Sequence, residues 1–171
     1  MKHVYVLRHA KSSWDDPELD DIDRPLNDRG EKAASRMAAF MAENAIAPQL
    51  ILCSPSVRTR RTLDLVLPAL KGKPTVAYED ALYLAAASTL LKRVRKVKAP
   101  TRHVMVVGHD PGMHSLAVDL AGSGSPEDLQ GLSAKFPTAG LAVIAFEASA
   151  WSAVKPGAGR LKLFMTPKRL P

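Results

Sequence analysis

The chain has 171 residues, of which 46% are hydrophobic and 24% are charged, and its net charge is +7. A chain of this length can bury one hydrophobic core without disulfides or a structural metal, and its composition excludes a disordered or fibrous protein. The only cysteine, Cys53, excludes an internal disulfide, and no segment resembles a signal peptide or approaches the roughly 20 apolar residues that span a bilayer. We therefore expect one soluble domain over residues 1–171, monomeric and cytoplasmic, with no membrane association.

The positive net charge favours acidic partners, such as nucleic acid, an anionic protein surface or a phosphate-bearing ligand. However, the basic residues are spread along the chain, and the densest run, Lys92 to Lys98, has no interleaved aromatic side chains. A basic solvated surface would explain most of the excess charge equally well. We therefore predict that the protein does not bind nucleic acid.

Strand-like and helix-like segments alternate along the chain. The three strand–helix pairs are 3–7 with 31–43, 50–53 with 57–70, and 103–107 with 113–121. A further strand is predicted at 75–78, a further helix at 87–97, and two C-terminal strands at 141–146 and 160–165. The alternation predicts an α/β three-layer sandwich, in which helices cover both faces of a mostly parallel central sheet. We expect the two C-terminal strands to pair antiparallel at a sheet edge.

The first strand and the first helix are joined by an unusually long connection. Asn27 or Asp28 is the expected N-cap of that helix, and Pro55 is expected in the first turn of the second helix. Residues 8–30 thus contain a loop of about 20 residues, whereas βα loops usually have about 2 to 6, and long loops are often functional. This loop is acidic, unlike the rest of the chain. The alternative is a solvated surface loop without a function.

Basic side chains follow three of the predicted strands. The first strand ends in Arg8 and His9, the second is followed by Ser54 and then Arg58, and the third is followed by His109. Ligands of parallel α/β sheets bind beyond the carboxyl ends of the strands, so these side chains are expected to meet. Each residue alone is compatible with a structural or solvated role. Their combination at three strand ends favours an anion-binding catalytic site.

The expected cluster suits phosphoryl transfer. Guanidinium groups make bidentate, permanently charged contacts to phosphate, and a neutral imidazole nitrogen is a competent nucleophile near neutral pH. His9 is therefore the candidate nucleophile. Arg8, Arg58 and His109 would hold the phosphoryl oxygens and neutralise the charge of the transition state.

Five stretches of sequence carry a resemblance to a known family. They are LRHAKSSW at 7–14, SPSVRTRRT at 54–62, VVGHDPGM at 106–113, DRPLNDRG at 23–30 and KFPTAG at 135–140. Together they resemble the histidine phosphatase superfamily, and within it the SixA-like phosphohistidine phosphatase branch. The resemblance extends over nearly the whole chain. It implies a phosphoglycerate mutase-like fold and phosphatase activity without a cofactor.

The resemblance also implies a role for each residue of the expected cluster. Arg8 matches the arginine beside the nucleophile, and His9 matches the histidine that is phosphorylated during turnover. Arg58 matches the second phosphate-binding arginine, and His109 matches the second histidine of the phosphate pocket. Many relatives have glycine after the nucleophile, whereas Ala10 in this chain belongs to the RHAKS pattern of the SixA-like branch.

The proton donor for the leaving group is an open question in the sequence. Many members of the superfamily carry an acidic residue for this purpose, and Glu79 or Asp80 lies in about the right region. Both residues could instead simply begin the next turn, and SixA-like members are similar in having no obvious donor. Weaker candidates lie in the long acidic loop, at Asp15, Asp16, Asp21 and Asp23.

Other polar residues near the motifs have alternative roles. Lys11 and Ser12 are close enough to His9 in sequence to bind substrate, although both could be structural. His114 lacks the i, i+4 spacing from His109 of a helical metal pair, so we predict no metal and no other cofactor. Cys53, at the end of an apolar strand, is expected in the core.

An absent proton donor would itself indicate a class of substrate. The imidazole that leaves phosphohistidine needs less protonation than the alkoxide that leaves a phosphomonoester. The predicted function is therefore hydrolysis of phosphohistidine on a phosphorylated histidine-containing phosphotransfer protein in signal transduction. One alternative is a phosphatase for small phosphomonoesters with Glu79 or Asp80 as the acid. Another is a non-catalytic phosphate-binding interaction module.

Overall fold

The computed structural model describes residues 1–171, which form one seven-stranded sheet with helices on both of its faces. The predicted α/β three-layer architecture is confirmed. The strands are β1 Lys2–Arg8, β2 Leu50–Cys53, β3 Thr75–Tyr78, β4 His103–Gly108, β5 Ala121–Gly124, β6 Leu141–Phe146 and β7 Gly159–Met165. The helices are α1 Asp28–Glu43, α2 Val57–Val66, α3 Ala87–Arg95, α4 Gly112–Leu120 and α5 Pro126–Ala134. None of these helices combines the length and the apolar character that a membrane crossing requires.

The order of the strands across the sheet is β3-β2-β4-β1-β6-β7-β5. The first four strands of this order are parallel, β6 is antiparallel to both of its neighbours, and β5 is parallel to β7. In the register of the parallel strands, Arg8 lies opposite Gly108 and Cys53 lies opposite Val107. The carboxyl ends of β1, β2 and β4 are therefore level at one edge of the sheet.

Alternating residues of the central strands build a separate core on each face of the sheet. In β1, Tyr5 and Leu7 pack in the cluster that contains α1 and α2, whereas Val4 and Val6 pack in the cluster that contains α3 and α4. All four side chains are buried. Burial on both faces explains why these strands are almost continuously apolar and not alternating in sequence.

The C-terminal part of the sheet differs from its prediction. β6 and β7 are antiparallel as expected, but neither forms an edge, because β6 lies next to β1 and β5 pairs with β7 on the other side. β5 has the sequence AGSG, which lacks the β-branched residues that favour strands. Its strand conformation comes from pairing with β7 and not from local propensity.

Two helix starts test the capping predictions. Asn27 is the N-cap of α1, and its side chain accepts a hydrogen bond from the Gly30 amide. The range predicted for α2 begins correctly at residue 57, but Pro55 is not in its first turn, because Ser56 is the N-cap and Pro55 precedes the helix. The Ser56 hydroxyl accepts from the Thr59 amide and so supplies a cap that proline cannot.

Candidate active site

The backbone around His9 is fixed by three separate parts of the chain. The His9 amide donates to the carbonyl of Gly108 at 3.1 Å, and the His9 carbonyl accepts from the Ala139 amide at 3.0 Å. The next amide, that of Ala10, donates to the Thr62 hydroxyl at 2.9 Å. β4, α2 and the segment before β6 therefore hold the end of β1 in one position.

The fold brings together the four residues expected at the strand ends. The rings of His9 and His109 have their centroids 5.3 Å apart. His9, Arg58 and His109 are buried, with exposed fractions of 7%, 3% and 3%, and Arg8 is partly buried. Burial lowers the pKa of both imidazoles, and the positive charges of the two arginines lower it further. We call this cluster the phosphate pocket.

Hydrogen bonding fixes the tautomer of His9. Its Nδ1 lies 2.6 Å from the carbonyl oxygen of Ala10. Because a carbonyl oxygen can only accept, Nδ1 carries the proton and Nε2 carries the free lone pair. Burial lowers the pKa of His9 to about 4, against the opposing effect of the Ala10 hydrogen bond, and the nearby arginines lower it further. His9 is therefore neutral near pH 7, with a lone pair available for nucleophilic attack.

His109 is held by a hydrogen bond between its ring and a side-chain hydroxyl. Its Nε2 lies 2.7 Å from the Ser54 hydroxyl, and its Nδ1 is buried without a partner in the protein. Burial and the charge of Arg58 lower the pKa of His109 to about 3. When the Ser54 hydroxyl donates to Nε2, Nδ1 carries the ring proton and can donate a hydrogen bond to a phosphoryl oxygen.

Both arginines are anchored through their terminal nitrogens. Arg8 Nη1 donates to the carbonyl of Phe136 at 2.9 Å and lies 3.5 Å from the Asp110 carboxylate. Arg58 donates through Nη1 to the carbonyl of Asp21 at 2.7 Å and through Nη2 to its carboxylate at 2.9 Å. The Nε atoms of both arginines are buried without a partner. Because unpartnered buried donors are rare and costly, these N–H groups indicate a site for an oxyanion.

The long acidic loop returns to the phosphate pocket through Asp21. Besides Arg58, its carboxylate accepts hydrogen bonds from the hydroxyl of Tyr83 and from Nε of Arg24, the latter at 3.1 Å. Burial raises the pKa of Asp21, but the hydrogen bonds from Tyr83 and Arg58 outweigh burial and hold the pKa well below its usual range. The loop therefore places an ionised carboxylate directly against a phosphate-binding arginine.

Comparison with known proteins agrees with this geometry. Residues 4–83 match the sequence profile of the histidine phosphatase superfamily, branch 1. An uncharacterized protein of Mycobacterium tuberculosis is 36% identical over 165 residues, which cover 95% of this chain and 100% of the relative. The chain belongs to the histidine phosphatase superfamily. Its fold and family support phosphatase activity.

Solved structures of histidine phosphatases place the chain more closely within the superfamily. The structure of SixA from Agrobacterium tumefaciens is 33% identical, with a TM-score of 0.81 and coverage of 97% of this chain and 98% of that one. The protein histidine phosphatase SixA complexed with tungstate has a TM-score of 0.78 at 21% identity, over 99% of each chain, and shares the fold. The predicted resemblance to the SixA-like branch is confirmed.

The two residues considered as proton donors lie at the end of β3. Both carboxylate oxygens of Glu79 accept from Arg93 of α3, at 2.7 and 2.9 Å. Asp80 is exposed and begins a short 3-10 turn that ends at Leu82. Neither residue has a hydrogen bond to the phosphate pocket. A carboxylate held by a bidentate arginine is poorly placed to donate a proton.

Lys11 and Ser12 have different surroundings. The Ser12 hydroxyl accepts from Arg24 at 2.9 Å and so ties the two ends of the acidic loop together. Lys11 is exposed, but its backbone is enclosed, because a Cβ at Gly30 would lie 2.1 Å from the Lys11 carbonyl oxygen. Only glycine allows the first turn of α1 to approach so closely. Substrate binding by either side chain stays a prediction.

The roles of several residues of this histidine phosphatase site were not predicted from the sequence. Ser54 orients His109 through its hydroxyl, whereas its only signal in the sequence is its position after a strand. Arg24 lies in the DRPL motif, and Asp21 precedes it, so the loop pattern was the available signal. Tyr83 and Thr62 have no local signal, because only the tertiary fold brings them to Asp21 and Ala10.

No group of three or more histidine, cysteine, aspartate and glutamate side chains is placed to hold a metal ion. The described residues instead supply cationic and N–H groups from arginine and histidine. Such groups bind the oxygens of a phosphoryl group directly.

Proposed function

We propose that this histidine phosphatase removes the phosphoryl group from phosphohistidine on a protein, through a phosphohistidine intermediate on His9. The observation that carries the proposal is the state of His9, a neutral ring with Nε2 unprotonated, beside two arginines. SixA from Agrobacterium tumefaciens, which is 33% identical, is named as a candidate phosphohistidine phosphatase and supports the same substrate class.

In the first step the phosphoryl oxygens bind to the N–H groups of Arg8, Arg58 and His109. Nε2 of His9 then attacks phosphorus in line with the bond to the substrate nitrogen, and that N–P bond breaks. The leaving imidazole takes up a proton from solvent. The two guanidinium groups neutralise the charge on the phosphoryl oxygens, which is the main requirement of phosphoryl transfer.

In the second step a water molecule attacks the phosphoryl group on His9. The N–P bond of the intermediate breaks, orthophosphate forms, and Nε2 regains its lone pair. The hydrogen bond from Nδ1 to Ala10 holds the ring in the same tautomer throughout, so His9 starts the next turnover ready to react.

The carboxylates near the phosphate pocket are already engaged in ion pairs, which supports a substrate whose phosphoryl group is bound to nitrogen. Asp21 is paired with Arg58, Glu79 with Arg93, and Asp110 lies 3.5 Å from Arg8. Each of these acids is thus occupied by an arginine. A phosphohistidine substrate depends little on a general acid, whereas an alkyl phosphomonoester depends strongly on one.

The proposed substrate is a histidine-containing phosphotransfer protein in cytoplasmic signal transduction. The test is the rate of orthophosphate release from such a protein after chemical phosphorylation of its histidine, compared with a panel of sugar and nucleotide phosphates. We expect the highest kcat/KM on phosphohistidine and no release by His9→Ala. A higher kcat/KM on any phosphomonoester would contradict the proposed substrate.

A simpler assay distinguishes the proposed phosphatase from a non-catalytic phosphate-binding module. The proposal requires the wild-type protein to hydrolyse a chromogenic aryl phosphate, whose leaving group needs no acid. Binding of orthophosphate without hydrolysis of any substrate would favour the binding module instead.

A further inference from the structure

A groove of about 830 Å³ lies between α1 and the segments that follow α5 and β7. α1 contributes Arg29, Lys32 and Arg36, and the two later segments contribute Lys135 and Lys168. Of its 15 lining residues, seven are basic and one is acidic. This local excess of six nearly equals the net charge of +7 of the whole chain. Seven of the 24 basic residues, from separate segments of the sequence, are thus gathered in one place, which we call the basic groove.

The charges of the basic groove are largely uncompensated within the protein. Arg169 alone has acidic partners there, with Asp128 at 3.3 Å and Glu127 at 3.8 Å. Arg36 donates to the carbonyl of Leu170, which carries no net charge. The repulsion among the other basic side chains disfavours the folded state unless an acidic ligand offsets it.

The basic groove adjoins the phosphate pocket through the polypeptide chain. Lys11, which lines the groove, is two residues from His9. Lys135, which also lines the groove, precedes Phe136, whose carbonyl anchors Arg8. Residues that line the groove therefore lie within two positions of residues that build or anchor the phosphate pocket.

The shape and lining of the groove narrow the class of ligand. Arg29 and Arg36 lie seven residues apart on α1, or about 10 Å along the helix axis. That length exceeds one phosphate group and suits several successive charges. Phe164 is the only aromatic residue in the lining and is buried, so the groove offers no stacking platform for nucleic-acid bases. Pro137 and Pro167 give the groove apolar surface that can contact the side chains of a polypeptide ligand.

We propose that the basic groove binds an acidic segment of the same protein that carries the phosphohistidine, an inference that rests on the proposed function. Aspartate and glutamate side chains of that segment pair with the unpaired cations of α1 and of the segments after α5 and β7. The groove thereby selects among phosphohistidine proteins by the charge beside the phosphorylated residue. The phosphate pocket supplies the chemistry, and the groove supplies the preference for one substrate.

The test uses two synthetic peptides that each contain one histidine, one with glutamates after the histidine and the other with glutamines at the same positions. Binding of the unphosphorylated, fluorescein-labelled peptides is measured by anisotropy. Orthophosphate release is measured after phosphorylation of both peptides with phosphoramidate. The variant carries Lys32→Glu and Lys168→Glu, which are exposed residues of the groove. The matched control carries Lys92→Glu and Lys98→Glu, which are exposed on or just after α3, on the other face of the sheet.

The wild type and the control are expected to bind the glutamate peptide at least about tenfold more tightly than the glutamine peptide, and to show the same preference in KM. The groove variant is expected to lose that preference while hydrolysing an aryl phosphate at the wild-type rate. Added salt is expected to weaken the preference. Equal binding of the two peptides by the wild type, or an unchanged preference in the groove variant, would overturn the proposal.

Two further outcomes separate the groove from the proposed function. If the glutamate peptide binds selectively but neither phosphopeptide is hydrolysed, binding of an acidic segment by the groove stands, and a phosphohistidine protein as the source of that segment is wrong. If inorganic triphosphate binds the groove more tightly than the glutamate peptide and the groove variant loses that binding, the groove serves small polyphosphates and the docking proposal is wrong.

Discussion

The sheet carries two pairs of histidines at opposite ends of the same two strands. His3 of β1 and His103 of β4 are register partners, with ring centroids 4.8 Å apart. His9 and His109 follow the other ends of these strands, at 5.3 Å. Burial is the largest cause of a lowered pKa in all four residues. Proximity and a lowered pKa therefore do not distinguish the two pairs.

The difference lies in what surrounds each pair. His3 and His103 stack with Tyr5, whose hydroxyl is 3.3 Å from Nδ1 of His103. The pair at the carboxyl ends instead has two buried arginine Nε donors beside it and a ring tautomer set by a backbone carbonyl. A histidine pair becomes a candidate for phosphoryl transfer through its arginines and its tautomer. Four predictions test this contrast.

The largest expected effect comes from removing the nucleophile. His9→Ala should lower kcat on an aryl phosphate by at least about 10⁴-fold, because no other group in the pocket can form the covalent intermediate. His103→Ala is the matched change at the other end of the strands and should alter kcat less than about threefold. Steady-state kinetics of both variants measure the contrast, and similar losses would remove the distinction between the pairs.

The arginines should account for the next largest effect. Arg58→Ala is expected to lower kcat/KM by about 10²- to 10³-fold, because it removes the charge that holds the phosphoryl oxygens. Arg60→Ala is the control, since Arg60 is exposed on the same helix and lies over the ring of Tyr78. The account requires activity of the Arg60 variant to stay near that of the wild type. Comparable losses in both variants would contradict a specific role for Arg58.

Acid titration should compare the pKa values of the two histidine pairs directly. NMR of the ring carbons should show all four histidines with pKa values below 6.5, with His9 protonated only near pH 4. The unfolded chain takes up these protons near pH 6.5, so the free energy of unfolding should fall as the pH drops from 6.5 towards 4. A pKa of His9 at or above 6.5 would be inconsistent with a neutral nucleophile held by Ala10.

The smallest expected effect concerns Asp21, which has no counterpart at the other histidine pair. Asp21→Asn removes a negative charge from Arg58 while keeping an oxygen that can accept from Tyr83. Inhibition by orthophosphate should become about two- to fivefold tighter, because the partly exposed ion pair competes only weakly with the anion. Weaker inhibition in the variant would mean that Asp21 mainly positions Arg58.

Much of the pocket was predictable because parallel strands obey a simple rule. Arg8, His9 and His109 directly end or follow strands, and Arg58 lies in the first turn of a helix, so the sheet alone brings them together. The contact of Asp21 with Arg58 was not predictable, because its position depends on how a loop of irregular backbone folds back. The acidic composition and length of that loop, and the DRPL motif that follows Asp21, were the available indications.

Other features depend on packing between distant segments. β5 was missed because its sequence, AGSG, has no strand propensity and forms only through pairing with β7. The basic groove was missed because its cations come from α1, from the segment after α5 and from the C-terminus. Spacing within any one of these segments is uninformative about charges that only the tertiary fold brings together.

The most direct test of the central claim is the chemical position of the phosphoryl group on the enzyme during turnover. The wild-type protein is mixed with a phosphohistidine substrate, quenched in alkali, and analysed by mass spectrometry and ³¹P NMR, with His9→Ala as the control. The account predicts an acid-labile, alkali-stable phosphoryl group on Nε2 of His9, because Nδ1 is occupied by its hydrogen bond to Ala10. A phosphoryl group on Nδ1 or on another residue, or turnover without any phosphoenzyme, would contradict it.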